Sequence, residues 1–190
     1  EDVPEEMADE EIPEDVPEDM VDEEIPEDVS EDMIDEEIPE DWGNYKMNPP
    51  LRGKEDKEAL IQALQDNVLE AIATDHAPHS KEEKEQSMKK APFGIVGSET
   101  AYALTVTELV RTGKITMMQL VERMSASPAK ILGINKGSLQ VDMPADITIV
   151  DVESSYLIDP ESFYSKGKNT PFAGKKVYGT YSKVAKVKTK

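Results

Sequence analysis

Cysteine is absent from this 190-residue chain, tryptophan occurs once and histidine twice. Without thiols there are no disulfides and no thiolate metal sites, a usage that fits a cytoplasmic protein. The two histidines, His76 and His79, stand three residues apart, so any histidine chemistry is confined to one short segment. No apolar run approaches the ~18 residues of a membrane span, and the first residues lack the basic and apolar regions of a signal peptide. Basic residues are missing from Glu1 to Asp41, a stretch holding 23 of the 41 acids. The other 149 residues carry 18 acids against 21 Lys and Arg, so the net charge of −20 belongs to the arm alone. Neither nucleic acid nor a membrane surface is the expected partner, because the arm repels phosphates and anionic lipid.

The arm is a tandem repeat of period 13: EDVPEEMADEEIP, EDVPEDMVDEEIP and EDVSEDMIDEEIP fill residues 1–39. That period matches no solenoid unit. Each copy offers a few small apolar side chains interrupted by prolines, too little burial to offset chain entropy and self-repulsion, so residues 1–41 are expected to be disordered. Docking on a basic surface or weak cation binding are the functional alternatives to a solvated tail.

From Trp42 the composition becomes that of a folded protein. Asn44 to Arg52 reads as a loop stiffened by Pro49 and Pro50, and Glu55 to Asn67 as a helix with an apolar stripe at positions 59, 60, 61, 63, 64 and 68. Leu69 to Ala73 is short and apolar, the pattern of a buried strand delivering Asp75 to its C-terminal mouth, where parallel α/β folds place their chemistry. Lys81 to Lys90 reads as a mixed-charge surface segment. Ser98 is expected to cap a helix from Glu99 to about Val110 ended by Gly113, and Thr116 one running through Met124. Ser127-Pro128 has the N-cap and N1 pattern of a shorter helix ending near Gly133. Beyond residue 134 the pattern is β, clearest at Ala145 to Asp151.

Several side chains suit hydrolytic chemistry. A strand-end acid such as Asp75 can ligate a divalent metal through one oxygen and take a proton through the other. His79, after the turn fixed by Pro78, can hydrogen-bond a substrate carboxylate. Asn48 can read an amide edge, Arg52 can clamp a carboxylate, and the Phe93-Gly94 backbone can close over a flat ring. Each also has a plainer reading: Asn48 in a pre-proline turn, Arg52 in solvent, His76 as a satisfied buried histidine.

Three segments in order, YKMNPPLR, IATDHAPH and APFGIVGSET, with 26 residues between Asn48 and Asp75, resemble the C-terminal part of bacterial class I dihydroorotase, a zinc enzyme of the amidohydrolase superfamily. The likeness runs from about Trp42 to about Gly179. It implies the last part of a (β/α)8 barrel over residues 42–133 and part of a small composite β domain over 134–190, giving an α/β fold class. The implied reaction is reversible hydrolysis of dihydroorotate to carbamoyl aspartate in pyrimidine synthesis. By the same resemblance Asp75 is both zinc ligand and proton shuttle, Asn48 and His79 contact substrate, and Phe93 with Gly94 hold the pyrimidine ring; His76 is not assigned to metal. From Gly179 onward the lysine-rich TYSKVAKVKTK departs from the family's apolar final strand.

The family's binuclear zinc site also uses a His-x-His pair, a bridging carboxylate or carboxylated lysine, and two further histidines, none of which this sequence can supply. A full barrel takes about 250 residues. The expectation is a chain inactive alone, its remaining ligands supplied by a complementing barrel half; a homo-oligomer is the other expected partner. The alternatives are a non-catalytic interaction protein whose arm docks on a basic partner, and a degenerate chain with no stable fold.

Overall fold

The structure, a computed structural model, describes residues 42–141 and 143–187; the repeat arm lies outside the described residues. A 3-10 turn at Trp42–Tyr45 is followed by helices α1 (Lys54–Gln65), α2 (Lys81–Lys84), α3 (Ala101–Thr105), α4 (Met117–Val121) and α5 (Ser127–Ile131). Strand β1 (Ala145–Leu157), a 3-10 turn at Pro160–Ser162 and strand β2 (Lys176–Val187) complete the order.

Helix α1 forms where the apolar stripe places it, with Glu55 and Asp56 complementing its positive N-terminal end. Helix α3 begins after Thr100, two residues later than the expected Ser98 cap, and runs on as a π turn over Val106–Val110. The Ser98 N–H is instead engaged by the His76 ring. Thr116 does cap α4, in a reciprocal box: its hydroxyl accepts from the Gln119 N–H at 3.2 Å, and its own N–H donates to Gln119 Oε1 at 2.9 Å.

The expected break at Ser127-Pro128 is absent. Ala126 and Ser127 keep helical dihedrals, so α4, a π turn over Glu122–Ala126 and α5 form one continuous helical run. Proline lacks an N–H and crowds the carbonyl four residues back, and the widened turn just before it absorbs both defects.

Leu69 to Ala73 is not a strand either. These residues are irregular and mostly exposed, and Ile72 donates a single backbone bond, to the Arg123 carbonyl at 3.0 Å. A parallel strand needs backbone partners on its flanks. Among the described residues the one sheet is the antiparallel pair β1–β2, so the expected barrel portion appears as helices and ordered loops. The β expectation held and extended: β1 continues past Asp151 to Leu157, and β2 reaches Val187, pairing with Ala145, despite its lysine-rich sequence.

The hairpin register shifts between Asp151 and Ser155. There the Asp151 carboxylate accepts from the Ser154 hydroxyl at 2.6 Å and from the N–H groups of Glu153 and Ser154, which holds it below the usual carboxylate range. The bulge presents Glu153 to Arg111, 3.2 Å away, and the Arg111 guanidinium lies 3.8 Å from the Tyr178 ring centroid.

Two apolar clusters hold the helices on the hairpin. Ala103, Ile158 and Val177 pack with Leu104, Tyr156, Phe163 and Phe172, while Val106, Ile115 and Leu120 pack with Leu64, Tyr102, Met124 and Tyr178. The Tyr178 N–H donates to the Thr107 hydroxyl at 2.8 Å, fixing β2 on the π turn after α3. Contact is closest at Gly179, with φ +94°, where a β-carbon would sit 3.1 Å from both Tyr102 and Val106 side-chain atoms.

Gly179→Ala is therefore expected to lose about 3 kcal/mol, combining left-handed backbone cost with overpacking. Gly113→Ala, at φ +72° with open space around it, is expected to lose about 1 kcal/mol. Equal losses in urea unfolding would show that packing against α3 does not limit position 179. Because the Asp151 pKa is lowered from 3.8, its contribution is present above that value and is lost as pH falls through the lowered one. Hydrogen exchange at Glu153 and Ser154 should accordingly accelerate on acidification beyond the intrinsic trend, and Asp151→Ala should abolish that excess.

Candidate functional site

Four segments meet: Gly43 to Arg52, Thr74 to Ser80, Ala91 to Ser98, and Phe163 to Thr170. Backbone bonds stitch them together. Gly94 N–H donates to the Lys46 carbonyl at 3.0 Å, Ala77 N–H to Ile95 at 3.0 Å, and Val96 N–H to Asn169 at 2.9 Å. Glycines allow this approach, since a β-carbon on Gly94 would lie 2.5 Å from the Ala77 methyl and one on Gly97 2.9 Å from Thr74. The fourth loop is held from below by Glu99, whose carboxylate accepts from the N–H groups of Tyr164 at 2.7 Å and Ser165 at 3.0 Å.

Asp75 sits exposed at the centre of the second loop with φ +43°. That left-handed conformation is uncommon outside glycine, and aspartate and asparagine tolerate it best. Its neighbours on both sides are fixed: Thr74 lies against Gly97, and the His76 ring accepts through Nδ1 from the N–H groups of Gly97 at 3.1 Å and Ser98 at 3.2 Å. Both donors converge on Nδ1, so that nitrogen serves as the acceptor for the backbone. His76 is exposed yet satisfied, which gives it a role in aligning the segment after Asp75 with the start of α3.

His79, half-buried, places Nε2 2.9 Å from the Phe93 carbonyl, with Nδ1 3.6 Å from Glu83. The Ser80 N–H, donated to Glu83 as half of a capping box, heads the causes that lower the Glu83 carboxyl from its ordinary value. His79 and the Phe93-Gly94 segment are thus brought together. The Phe93 ring is exposed and lies under the Lys46 ammonium at 4.7 Å. Both polar backbone groups of Gly94 are consumed within the protein, so Gly94 serves the site by close approach. Asn48 and Arg52 are exposed, and among the described residues neither hydrogen-bonds to Asp75, His79 or the Phe93-Gly94 segment. The Asn48 loop is nevertheless anchored there through Lys46, two residues earlier.

Two residues at the centre were not expected from the sequence. Lys84, read as part of a surface segment, is only 3% exposed. Its ammonium donates to the carbonyls of Pro92 at 2.9 Å, Gly94 at 2.9 Å and Lys46 at 3.2 Å, while burial, and after it the Lys46 charge, push its pKa below the ordinary lysine value. Asn169, also buried, accepts the His79 N–H at 2.7 Å and donates to the Gly94 carbonyl at 2.9 Å. The Ser80-x-x-Glu83 pattern is the one sequence signal that could have found Lys84, because a capped turn there fixes the direction of the residue after Glu83. Asn169 had no such signal.

Structural and catalytic zinc sites take three or four protein ligands. Among the described residues no group of three or more His, Cys, Asp or Glu side chains could hold a metal ion, His76 Nδ1 is occupied, and His79 Nε2 is directed at Phe93. Asp75 by itself does not fit the group. No helix among the described residues is long and apolar enough to cross a membrane.

Residues 14–186 match the model of the Amidohydrolase family. The chain is 57% identical over 136 residues to a dihydroorotase of Staphylococcus epidermidis, an alignment covering 72% of this chain and 32% of that protein. It is 55% identical over 131 residues to a dihydroorotase of Bacillus caldolyticus, with 69% and 31% covered. Among solved structures, an L-hydantoinase (dihydropyrimidinase) from Arthrobacter aurescens superposes with a TM-score of 0.71 at 33% identity over 77% of this chain and 34% of that one. A dihydropyrimidinase from Brevibacillus agri gives 0.69 at 31% identity over 75% and 32%. The chain spans about a third of the length of the relatives it matches.

The dihedral at Asp75 separates its backbone role from its chemistry. Asp75→Gly and Asp75→Asn should remain within about 0.5 kcal/mol of the parent in urea unfolding, whereas Asp75→Ala should lose about 1 kcal/mol. A loss for Asp75→Asn as large as for Asp75→Ala would mean that the carboxylate, not the left-handed conformation, holds the loop.

Proposed function

Because this chain belongs to the amidohydrolase family, we propose that its loop cluster forms part of a cyclic-amide hydrolase site of dihydroorotase type, interconverting dihydroorotate and carbamoyl aspartate in pyrimidine synthesis. The observation that carries the reading is the junction of His79 with Phe93-Gly94 beside an exposed, backbone-constrained Asp75, inside a segment 57% identical to a dihydroorotase. In this reading Asp75 accepts the proton released by the attacking water and returns it to the departing ring nitrogen. His79 and Asn48 bind the substrate's carboxylate and amide groups, and the Phe93 ring, with the Gly94 backbone held close behind it, forms the surface on which the flat ring rests.

The family chemistry is zinc-dependent, and the only ligand we assign to this chain is Asp75. The remaining ligands belong to the rest of the barrel, which residues 1–190 do not include.

Co-expression with the barrel half of a dihydroorotase such as the Bacillus caldolyticus relative tests this. Zinc-dependent turnover of dihydroorotate should appear in the purified complex, and Asp75→Asn should lower kcat at least 10³-fold with a smaller change in KM. A stable complex that binds zinc but leaves dihydroorotate unchanged would refute the reading.

A further inference from the structure

The Gly94 carbonyl accepts two hydrogen bonds from side chains far apart in sequence, the Lys84 ammonium and the Asn169 amide, both at 2.9 Å. A carbonyl oxygen has two lone pairs, so the pair saturates it. Each donor is also tied elsewhere. Lys84 reaches the carbonyls on either side of the contact, at Lys46 and Pro92, and Asn169 receives the His79 N–H. Both side chains are buried, and among the described residues the Lys84 ammonium meets backbone carbonyls and no carboxylate. A buried ammonium without an anion is stable only while its carbonyl cage stays closed.

We propose that Lys84 and Asn169 are a positioning pair that sets the place of the Phe93-Gly94 backbone relative to His79, the two groups read above as receiving a flat cyclic amide. The cyclic amide rests on the function proposed above; the positioning itself does not. Lys84 draws the loops of Lys46, Pro92 and Gly94 toward one point. Asn169 sets the distance between His79 and Gly94 with the two ends of a single amide. Lengthening or removing either link lets Gly94 drift from His79 while the apolar clusters around Val106 and Leu120 remain closed.

Amide hydrogen exchange and dihydroorotate titration, followed by NMR on the full chain, test the pair. In Lys84→Met the apolar stem is kept and the ammonium lost; exchange at Gly94 and Val96 should rise at least tenfold while Val106 and Leu120 change less than twofold. Asn169→Asp keeps the acceptor for the His79 N–H and sets an oxygen against the Gly94 carbonyl. Exchange should then rise at Gly94 and Val96 but stay within twofold at His79, a selectivity that general destabilisation does not produce. If Lys84→Met fails to fold, Asn169→Asp decides alone.

Unchanged exchange at Gly94 in the folded variants, or a uniform rise that includes Val106 and Leu120, overturns the proposal. Where the parent chain shifts its His79 and Phe93 signals with dihydroorotate, each variant should weaken that binding at least tenfold; unaltered affinity also overturns it. Loop-selective exchange in the variants, with no response of the parent to dihydroorotate, supports the positioning pair and counts against the dihydroorotate reading.

Discussion

An ammonium group out of reach of water must be surrounded by oxygen, and in this protein the oxygens come from the backbone. Lys84 gathers the carbonyls of Lys46, Pro92 and Gly94 around one nitrogen. None of those residues lies in a helix or strand, so no ladder of repeated bonds holds them. The cost of leaving a buried charge unpaired, several kcal/mol, supplies the constraint that regular structure supplies elsewhere. Opening any one loop exposes the other two to that cost, which makes the cluster cooperative although it is built from irregular segments.

The same logic governs Asp75. Its left-handed backbone is held because Thr74, His76 and Ala77 are each fixed to the Ile95 to Ser98 segment, and that segment is in turn held through Gly94 and Val96 by Lys84 and Asn169. The hairpin contributes from a distance: β2 locks onto the turn after α3 through Thr107 and Gly179, and the His76 ring holds Gly97 and Ser98 in the segment that leads into α3. The site and the β element are thus mechanically joined through one helix.

Much of this was legible in the residues. The stripe of α1, the Thr116 cap and the β run at Ala145 to Asp151 are local signals, and local bonding decides them. The three motifs around Asn48, Asp75 and Phe93 indicated the family because their order and spacing are specific. What misled were features whose outcome depends on neighbours. Leu69 to Ala73 has strand composition, but a strand exists only where flanking backbone is available to pair. Ser127-Pro128 has the form of a helix start, yet a π turn upstream accommodates the proline inside a continuous run. Lys84 stands among solvated charges in Lys81 to Lys90, and only the Ser80-x-x-Glu83 cap just before it sets it apart from Lys81 or Lys89.

By itself, then, the sequence determined which segments can turn, cap or bury apolar faces, and which side chains are chemically able to bind a metal or move a proton, because these depend on residue type and short-range spacing. It also excluded thiolate ligands and confined histidine chemistry to one short segment. Only the tertiary structure decided that His76 spends its ring nitrogen on the backbone of Gly97 and Ser98, that Asn169 links His79 to Gly94 from 90 and 75 residues away, and that Lys84 is enclosed. Those outcomes turn on which backbone groups are left unpaired once the helices and the hairpin have formed, a quantity that exists only when distant segments share one volume.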